Sequence, residues 1–575
     1  AYENGCDALA LTDHGNMNGM AYQVLHAKKM RREGKSFKPI FGVEAYFIPD
    51  IVEWKTLYEE HKADKRKARQ LDREQSGTTV ENEGETKSKG RALNRSRHLV
   101  LLAMNQEGLN NIFKLVSESY TGNYFYRKPR IDYALLSKYS SGVIGMSACL
   151  GGVEIFDDRW YGELQWNNIP EQHELNEYII RIHKEFGIKL VSTADSHYPN
   201  PKAWNDRELY KRLGWLGRGK PEWLDMTLPV SVEEIGYELY PKNGEQIWES
   251  YSYYSKECGF QYDDDLVLGS IEESHNIAFD RIERFYPDDT VRLPDFVVPS
   301  GYSDNNWLKR LSSEGLFNIL KNRDLVNNKR VTTEYEQRLE HELKVIADRG
   351  FSKYFLTMKA IADRTNEIQL SGTGRGSAAG SLVAYALGIT QVDPIKYGLL
   401  FSRFLRSDAT DYPDIDYDVS DPMVLKEHLI KEWGDNTVVP ISNFNTLQLR
   451  SLIKDISKFY DVPFMEANGV TNKMLFEATP RAKADHGIRA GVYNPTFEEV
   501  IKYSDSLRNF FRKYPRIEKH VMGIVGQVRS VSRHAGGIVV GEELDKYMPL
   551  IASKGIRQTP WSEGQNVRHL EPMGF

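Results

Sequence analysis

Cysteine is nearly missing from this chain: Cys6, Cys149 and Cys258 are the only three in 575 residues. They are too few and too scattered for a disulfide framework, which excludes a small cross-linked secreted scaffold and points to a reducing, cytoplasmic setting. Long apolar runs are missing too; none approaches the ~18 to 20 residues that a membrane-spanning helix needs, so no membrane protein is expected. Nor is there a surplus of positive charge, since 75 Lys and Arg face 81 Asp and Glu for a net −6. That excludes a uniformly basic nucleic-acid coat but leaves room for a basic channel inside an acidic enzyme. No internal repeat stands out. The opening Ala-Tyr-Glu-Asn-Gly lacks the basic, apolar and small-residue succession of a signal peptide.

With 40% hydrophobic and 27% charged residues, the chain reads as a globular protein large enough for several domains. Its first part alternates strand and helix signals. Ala8 to Leu11, Pro39 to Tyr46, His98 to Ala103, Gly142 to Met146 and Lys189 to Thr193 read as strands; Met20 to Arg32, Asn110 to Ser119 and Glu171 to Phe186 read as helices. Residues 53–97 are so rich in charge that they are expected to form a mobile insertion. A turn-rich stretch near residue 285 suggests a first boundary. Beyond it come helical patterns, a Gly-rich loop at 372–380, a helix at Met423 to Trp433, a strand at Thr437 to Asn443, a mostly helical stretch over 461–525, and a strand at Ser532 to Gly541. The helical stretch reads as a subdomain inserted into a larger sheet domain.

Three groups of residues can carry chemistry. His14, Glu44, His98, Cys149, Asp195 and His197 all sit on or next to expected strands. Strand ends converge on one face of a βα sheet or barrel, and imidazole, carboxylate and thiolate together suit zinc, or manganese and iron if carboxylates dominate. Any one of them alone is an ordinary residue; their shared placement carries the argument. The run Gly372-Thr-Gly-Arg-Gly-Ser-Ala-Ala-Gly-Ser381 is a phosphate cradle in type, since glycines let backbone N–H groups approach an anion and Arg375 adds charge. It fits neither the P-loop nor the dinucleotide-binding signature. In Tyr412-Pro-Asp-Ile-Asp-Tyr-Asp418, Asp414, Asp416 and Asp418 alternate as they would on one face of a strand. A row of like charges calls for a counter-charge, and divalent metal ions supply it in phosphoryl transfer.

Together, Gly374–Tyr385, Pro413–Asp418 and Arg533–Val540 resemble the motifs of the bacterial C-family replicative DNA polymerases, the DNA polymerase III alpha family, in order and spacing. Leu11–Asn16 and Ser147–Leu150 are similar to motifs of the polymerase-and-histidinol-phosphatase (PHP) domain that precedes the palm in that family. The resemblance covers essentially the whole chain. It implies a multidomain α/β architecture: a PHP (βα) barrel-like domain over 1–285, a mixed α/β nucleotidyltransferase-like palm over 286–460 and 526–575, and an inserted helical thumb over 461–525.

The resemblance further implies template-directed nucleotidyl transfer on primed template DNA with dNTPs. Asp416 and Asp418 match two of the three palm carboxylates that hold Mg2+, whereas Asp414 is not one of the catalytic pair. Arg375, Gly376, Ser377 and Arg403 match residues at the incoming triphosphate, and His534 lies in a motif near the active site. His14, Glu44, His98, Cys149, Asp195 and His197 match PHP ligands for Zn2+ or Mn2+, a site that gives some members 3′–5′ exonuclease activity. The family's first His-x-His pair and third palm Asp are not in the chain, so it is expected to be a fragment, poor or inactive alone. The sliding clamp and other replisome subunits would engage regions absent from it. Two alternatives stay open: a PHP-type metallophosphoesterase as the main activity, or a non-catalytic DNA-binding role.

Overall fold

The computed structural model describes residues 1–74, 97–147, 153–216, 228–288, 290, 292–409 and 412–562. The chain divides into two compact units. The first comprises 1–115, 123–285 and 443–532, and the second 116–122, 286–442 and 533–575.

The first unit is built on an eight-stranded sheet: β1 (Ala8–Leu11), β2 (Lys38–Phe47), β3 (Arg97–Ala103), β4 (Phe125–Tyr126), β5 (Lys128–Ile131), β6 (Val143–Ser147), β7 (Trp160–Gln165) and β8 (Lys189–Thr193). Its order is β4-β5-β2-β3-β6-β7-β8, and β1 also pairs with β2. β1 runs parallel to β2, and β6, β7 and β8 are mutually parallel, while β3 runs antiparallel to both β2 and β6. The carboxyl ends of β1 and β8 and the amino end of β3 therefore lie on one rim. The expected strands and the helices Met20–Arg32 and Pro170–Phe186 are present, the first helix with the bounds read from its pattern.

β7 was not expected. It is buried over Trp160–Leu164, but Gly162 and Glu163 interrupt the apolar run that would mark a buried strand.

Residues 53–97 are also corrected in part, because Ile51–Glu74 is a helix. Its start is held by Ile51 and Trp54, which are buried, and by Tyr58, whose hydroxyl accepts from that of Tyr126 at 2.7 Å. The Arg130 guanidinium lies 4.0 Å from the Trp54 ring. The charged sequence after Glu74 lies outside the described residues as far as residue 96.

The stretch expected as a thumb is helical: Phe464–Asp485, Phe497–Tyr503, Asp505–Lys513 and Pro515–Ile524. Its core is shared with the helix Trp204–Leu216, whose Leu209 is fully buried among Leu452, Ile456, Phe510, Phe511 and Val521. His520 joins the two, with Nδ1 3.2 Å from Asp206 Oδ1 and Nε2 2.7 Å from the Tyr460 hydroxyl. At Gly523 a Cβ would stand 2.2 Å from Asp206 Oδ2, so that approach requires glycine.

In the second unit, the helices Asp304–Asn322 and Lys329–Asp348 pack on the short helix Leu382–Ala386, which is buried throughout, and Ser352–Ile368 packs between Asp304–Asn322 and Pro422–Trp433. The expected larger sheet is small among the described residues. β9 (Val438–Thr446) pairs with β10 (Val528–Val540), and β11 (Ile551–Ser553) pairs with β12 (Ile556–Gln558). Ser442 also donates its N–H to the Trp561 carbonyl at 3.0 Å, and Thr559 donates to the Pro440 carbonyl at 3.0 Å, so residues 559–562 flank β9. Helices supply most of this unit's core.

Candidate metal and nucleotide sites

The rim of the first sheet collects the N-terminal candidates. β1 is prolonged by an isolated parallel bridge between His14 and Glu44, in which Glu44 N–H donates to the Asp13 carbonyl at 3.1 Å and Gly15 N–H to the Glu44 carbonyl at 2.7 Å. Gly15 has φ 64°, and a Cβ there would strike the Pro129 ring at 2.8 Å and the Tyr46 ring at 2.9 Å. The turn is therefore glycine-specific. Asp13 Oδ2 accepts from Gly19 N–H at 2.6 Å and fixes the following helix start.

Glu44 Oε1 stands 2.5 Å from His98 Nδ1 and 3.5 Å from His14 Nδ1. Burial works against its charge, but the His98 hydrogen bond and the two imidazoles outweigh that and hold its pKa below the usual range. Burial lowers the His14 pKa. The His14 ring is 5.0 Å from that of His98 and 5.8 Å from that of His197, and it stacks on Tyr46. Asp195, at a positive φ of 44°, has Oδ1 3.6 Å from His197 Nδ1. Burial raises its pKa.

The structure thus brings together His14, Glu44, His98, Asp195 and His197, while Cys149 lies outside the described residues. His14, Glu44 and His98 each offer a ligand atom within 4.8 Å of the others, a spacing and donor set that fit one divalent cation. His98 reaches the rim from the start of its strand because β3 is antiparallel.

Sequence reading missed Glu163, on β7. It is buried and accepts from Thr193 Oγ1 at 2.5 Å and from Gln165 Nε2 at 3.3 Å. Burial, with the nearby Asp195 charge, raises its pKa to about 6 against the Thr193 hydrogen bond. In a continuously buried strand only the solitary carboxylate could have signalled it.

The second site lies wholly in the second unit. Residues 412–418 are not a ladder strand as expected. Pro413 has no N–H to donate, and the segment is held by Tyr354 Oη donating to the Pro413 carbonyl at 2.9 Å, Gly372 N–H donating to the Asp418 carbonyl at 2.9 Å, and an isolated bridge between Ser371 and Val419. The alternation nevertheless holds in its effect. Ile415 and Tyr417 pack on the core, while Asp416 and Asp418 both face Arg375.

Arg375 Nη2 is 3.4 Å from Asp416 Oδ1, and Nη1 is 3.5 Å from Asp418 Oδ1. The glycines of the loop are needed against these carboxylates. A Cβ at Gly376, φ 67°, would lie 2.2 Å from Asp416 Oδ2, and one at Gly372 would lie 2.8 Å from Asp418 Cβ. Ser377 is exposed and opens the 3-10 turn Ser377–Gly380.

A buried network fixes the far end of the loop, and sequence reading missed it. Glu342 accepts from Ser381 Oγ at 2.9 Å and from Val383 N–H at 3.0 Å, and pairs with Arg338 Nε at 2.6 Å. Burial raises the Glu342 pKa against these contacts. Arg338 Nη2 also donates to the Gly380 and Leu399 carbonyls, at 2.9 and 3.2 Å. It thereby stitches the loop to the turn Phe401–Arg403, on which Arg403 stands exposed between buried Phe401 and Phe404. The i,i+4 spacing of Arg338 and Glu342 was visible, but it usually marks a surface pair.

His534 Nδ1 accepts from Gly537 N–H at 2.6 Å and Gly536 N–H at 3.2 Å. Buried Lys426 donates to the His534 and Ala535 carbonyls at 3.1 and 2.7 Å, and burial pulls its pKa down to about 8.

Comparison with known proteins agrees with this layout. Residues 1–211 match the PHP domain and residues 306–569 the bacterial DNA polymerase III alpha NTPase domain. DNA polymerase III subunit alpha of Aquifex aeolicus is 30% identical over 596 residues, covering 96% of this chain and 47% of that protein. The Borreliella burgdorferi protein of the same name is 30% identical over 602 residues, with 99% and 45% covered. That of Helicobacter pylori is 28% identical over 624 residues, with 99% and 46% covered. The chain spans about half the length of the curated relatives it matches. The chain thus carries the PHP domain and the polymerase NTPase domain in order, and is similar over nearly its whole length to DNA polymerase III alpha subunits.

Proposed function

We propose that this chain supplies the nucleotidyl-transfer site of a replicative DNA polymerase acting on primed template DNA and deoxynucleoside triphosphates. The observation that carries this reading is the pair Asp416 and Asp418 facing Arg375, with Gly372 and Gly376 in close approach to the two carboxylates. Both matched families are metal-dependent. The donor set suits hard divalent cations: two carboxylates, half-exposed, with oxygens on one side. Asp416 and Asp418 would hold Mg2+, which when bound supplies charge neutralisation at the primer hydroxyl and the pyrophosphate. Arg375 and the loop of Gly376 and Ser377 bind and orient the triphosphate, with Arg403 adding charge nearby. The protein positions and neutralises, and no side chain of its own forms a covalent bond.

A second reading concerns the PHP rim. His14, Glu44, His98, Asp195 and His197, with Cys149, would hold Zn2+ or Mn2+ for 3′–5′ hydrolysis of DNA ends; the clustering of the His14, Glu44 and His98 ligand atoms within 4.8 Å of one another supports it. A cytoplasmic location fits both readings, and no helix among the described residues is long and apolar enough to cross a membrane. The sliding clamp and other replisome subunits are the partners such an enzyme would need.

The test is a double dissociation in the chain extended to the length of its relatives. Asp416→Ala should cut primer extension by on the order of 10^3-fold and spare hydrolysis of DNA ends. His14→Ala should do the reverse. Extension at the unaltered rate by Asp416→Ala would overturn the polymerase reading.

A further inference from the structure

We propose that Arg375 occupies the cation position of the two palm carboxylates in the resting site, and that triphosphate draws it off as divalent metal enters. The inference rests on the polymerase reading above and concerns the order in which that site is loaded.

The geometry has three parts. First, the guanidinium forks onto one oxygen of each carboxylate, at 3.4 Å to Asp416 and 3.5 Å to Asp418. A well-made pair of this kind closes to ~2.7 to 2.9 Å. Arg375 is therefore in place but loosely held, and its side chain is 63% exposed. Second, the backbone can let it go. Gly374 (φ 133°) and Gly376 (φ 67°) flank it on both sides, in conformations that glycine adopts freely. The loop is pinned only beyond them. Upstream, Gly372 N–H donates to the Asp418 carbonyl and Gln391 N–H to the Thr373 carbonyl; downstream, Glu342 holds Ser381 and Val383. Third, the charges exclude full occupancy. A fork spanning both carboxylates takes the position from which a divalent cation would be shared, and guanidinium and metal repel each other there. A triphosphate offers the guanidinium more negative charge than two half-exposed carboxylates. Metal and nucleotide are thereby coupled: each lowers the cost of binding the other.

The coupling can be read without turnover, from Mn2+ binding followed by the electron paramagnetic resonance of free Mn2+. The Asp416→Asn/Asp418→Asn double variant defines the background from other sites. Without nucleotide, Arg375→Gln should bind Mn2+ at the carboxylates about threefold to tenfold more tightly than the unaltered chain, the exchange of one or two exposed ion pairs. Arg375→Lys, which keeps the charge but not the fork, should fall between them. With dTTP and a dideoxy-terminated primed template present, the order should reverse, because Arg375 then lies on the phosphates of the unaltered chain. Equal or weaker Mn2+ binding by Arg375→Gln without nucleotide would overturn the proposal, and so would failure of the order to reverse. If instead the double variant binds as much Mn2+ as the unaltered chain, the carboxylates hold no metal and the polymerase reading itself fails.

Discussion

The two candidate sites reach similar chemistry by opposite means. On the PHP rim the carboxylate is already neutralised by neighbours of fixed position: Glu44 lies between His14 and His98, and strand register places all three. In the second unit, Asp416 and Asp418 sit on an extended segment with little ladder support, and their counter-charge is one exposed arginine between two glycines. A sheet holds the first arrangement together. The second depends on a loop whose ends are anchored and whose middle can move. A site that binds one ion for long periods suits the former, and a site that must admit and release a charged substrate in every cycle suits the latter.

The most severe way to break the contrast is to free the loop's far anchor. Glu342→Ala removes a fully buried carboxylate and strands Arg338, Ser381 and Val383. A loss of about 3 to 5 kcal/mol is expected, read as a lower urea midpoint of the second unit, with Mn2+ binding at the PHP rim unchanged. If the midpoint holds, the loop is anchored elsewhere.

Gly15→Ala and Gly376→Ala make a sharper pair. Both glycines are left-handed, so both substitutions carry backbone strain of about 1 to 3 kcal/mol. At Gly15 the new methyl meets two rings, Pro129 and Tyr46, which leaves little room to yield. At Gly376 it meets only the end of the Asp416 side chain. Melting should therefore show the greater loss for Gly15→Ala, while Gly376→Ala should cost more in extension rate than in stability. Equal losses in both assays would mean that the two turns are held alike.

The smallest effect concerns Glu163. Its folded pKa of about 6 lies above the ordinary 4.5, so the native state keeps a proton that the unfolded chain releases. Its contribution to stability is present below pH 4.5 and is lost as pH rises through about 6. In chelator-treated protein, Glu163→Gln should gain on the unaltered chain across that window by about 2 kcal/mol, followed by denaturant titration at several pH values. A difference independent of pH would sink this account.

Much of this was legible in the sequence, for identifiable reasons. Met20–Arg32 carries a plain apolar period and the five strands expected in the first region carry short apolar runs, and the site residues lie on or beside those elements. β7 was not legible, because Gly162, Glu163 and Gln165 interrupt it, leaving neither an alternation nor an apolar stretch. Charge along 53–97 masked the helix start, where Ile51, Trp54 and Tyr58 fall on one face. Of the three carboxylates expected on one face, Asp416 and Asp418 share a side facing Arg375, since their alternation survives without a ladder. Glu163 and the Arg338–Glu342 pair stayed hidden because burial, which gives a lone carboxylate its consequence, is a tertiary property.

β9 and β10 are tied at both ends: Gly541 N–H reaches the Thr437 carbonyl at one, and at the other Leu447 N–H reaches Gln527 while Gly526 N–H returns to Leu447. The helical excursion between them is thus a long loop closed at its base. Closing a loop costs entropy that grows only as the logarithm of its length, so lengthening the excursion would change that cost little. Weakening the bonds at its neck would leave it held only by the core it shares with the helix Trp204–Leu216. Tolerance to insertion in the helices and intolerance at Thr437, Leu447, Gln527 and Gly541 would be two faces of the same arithmetic.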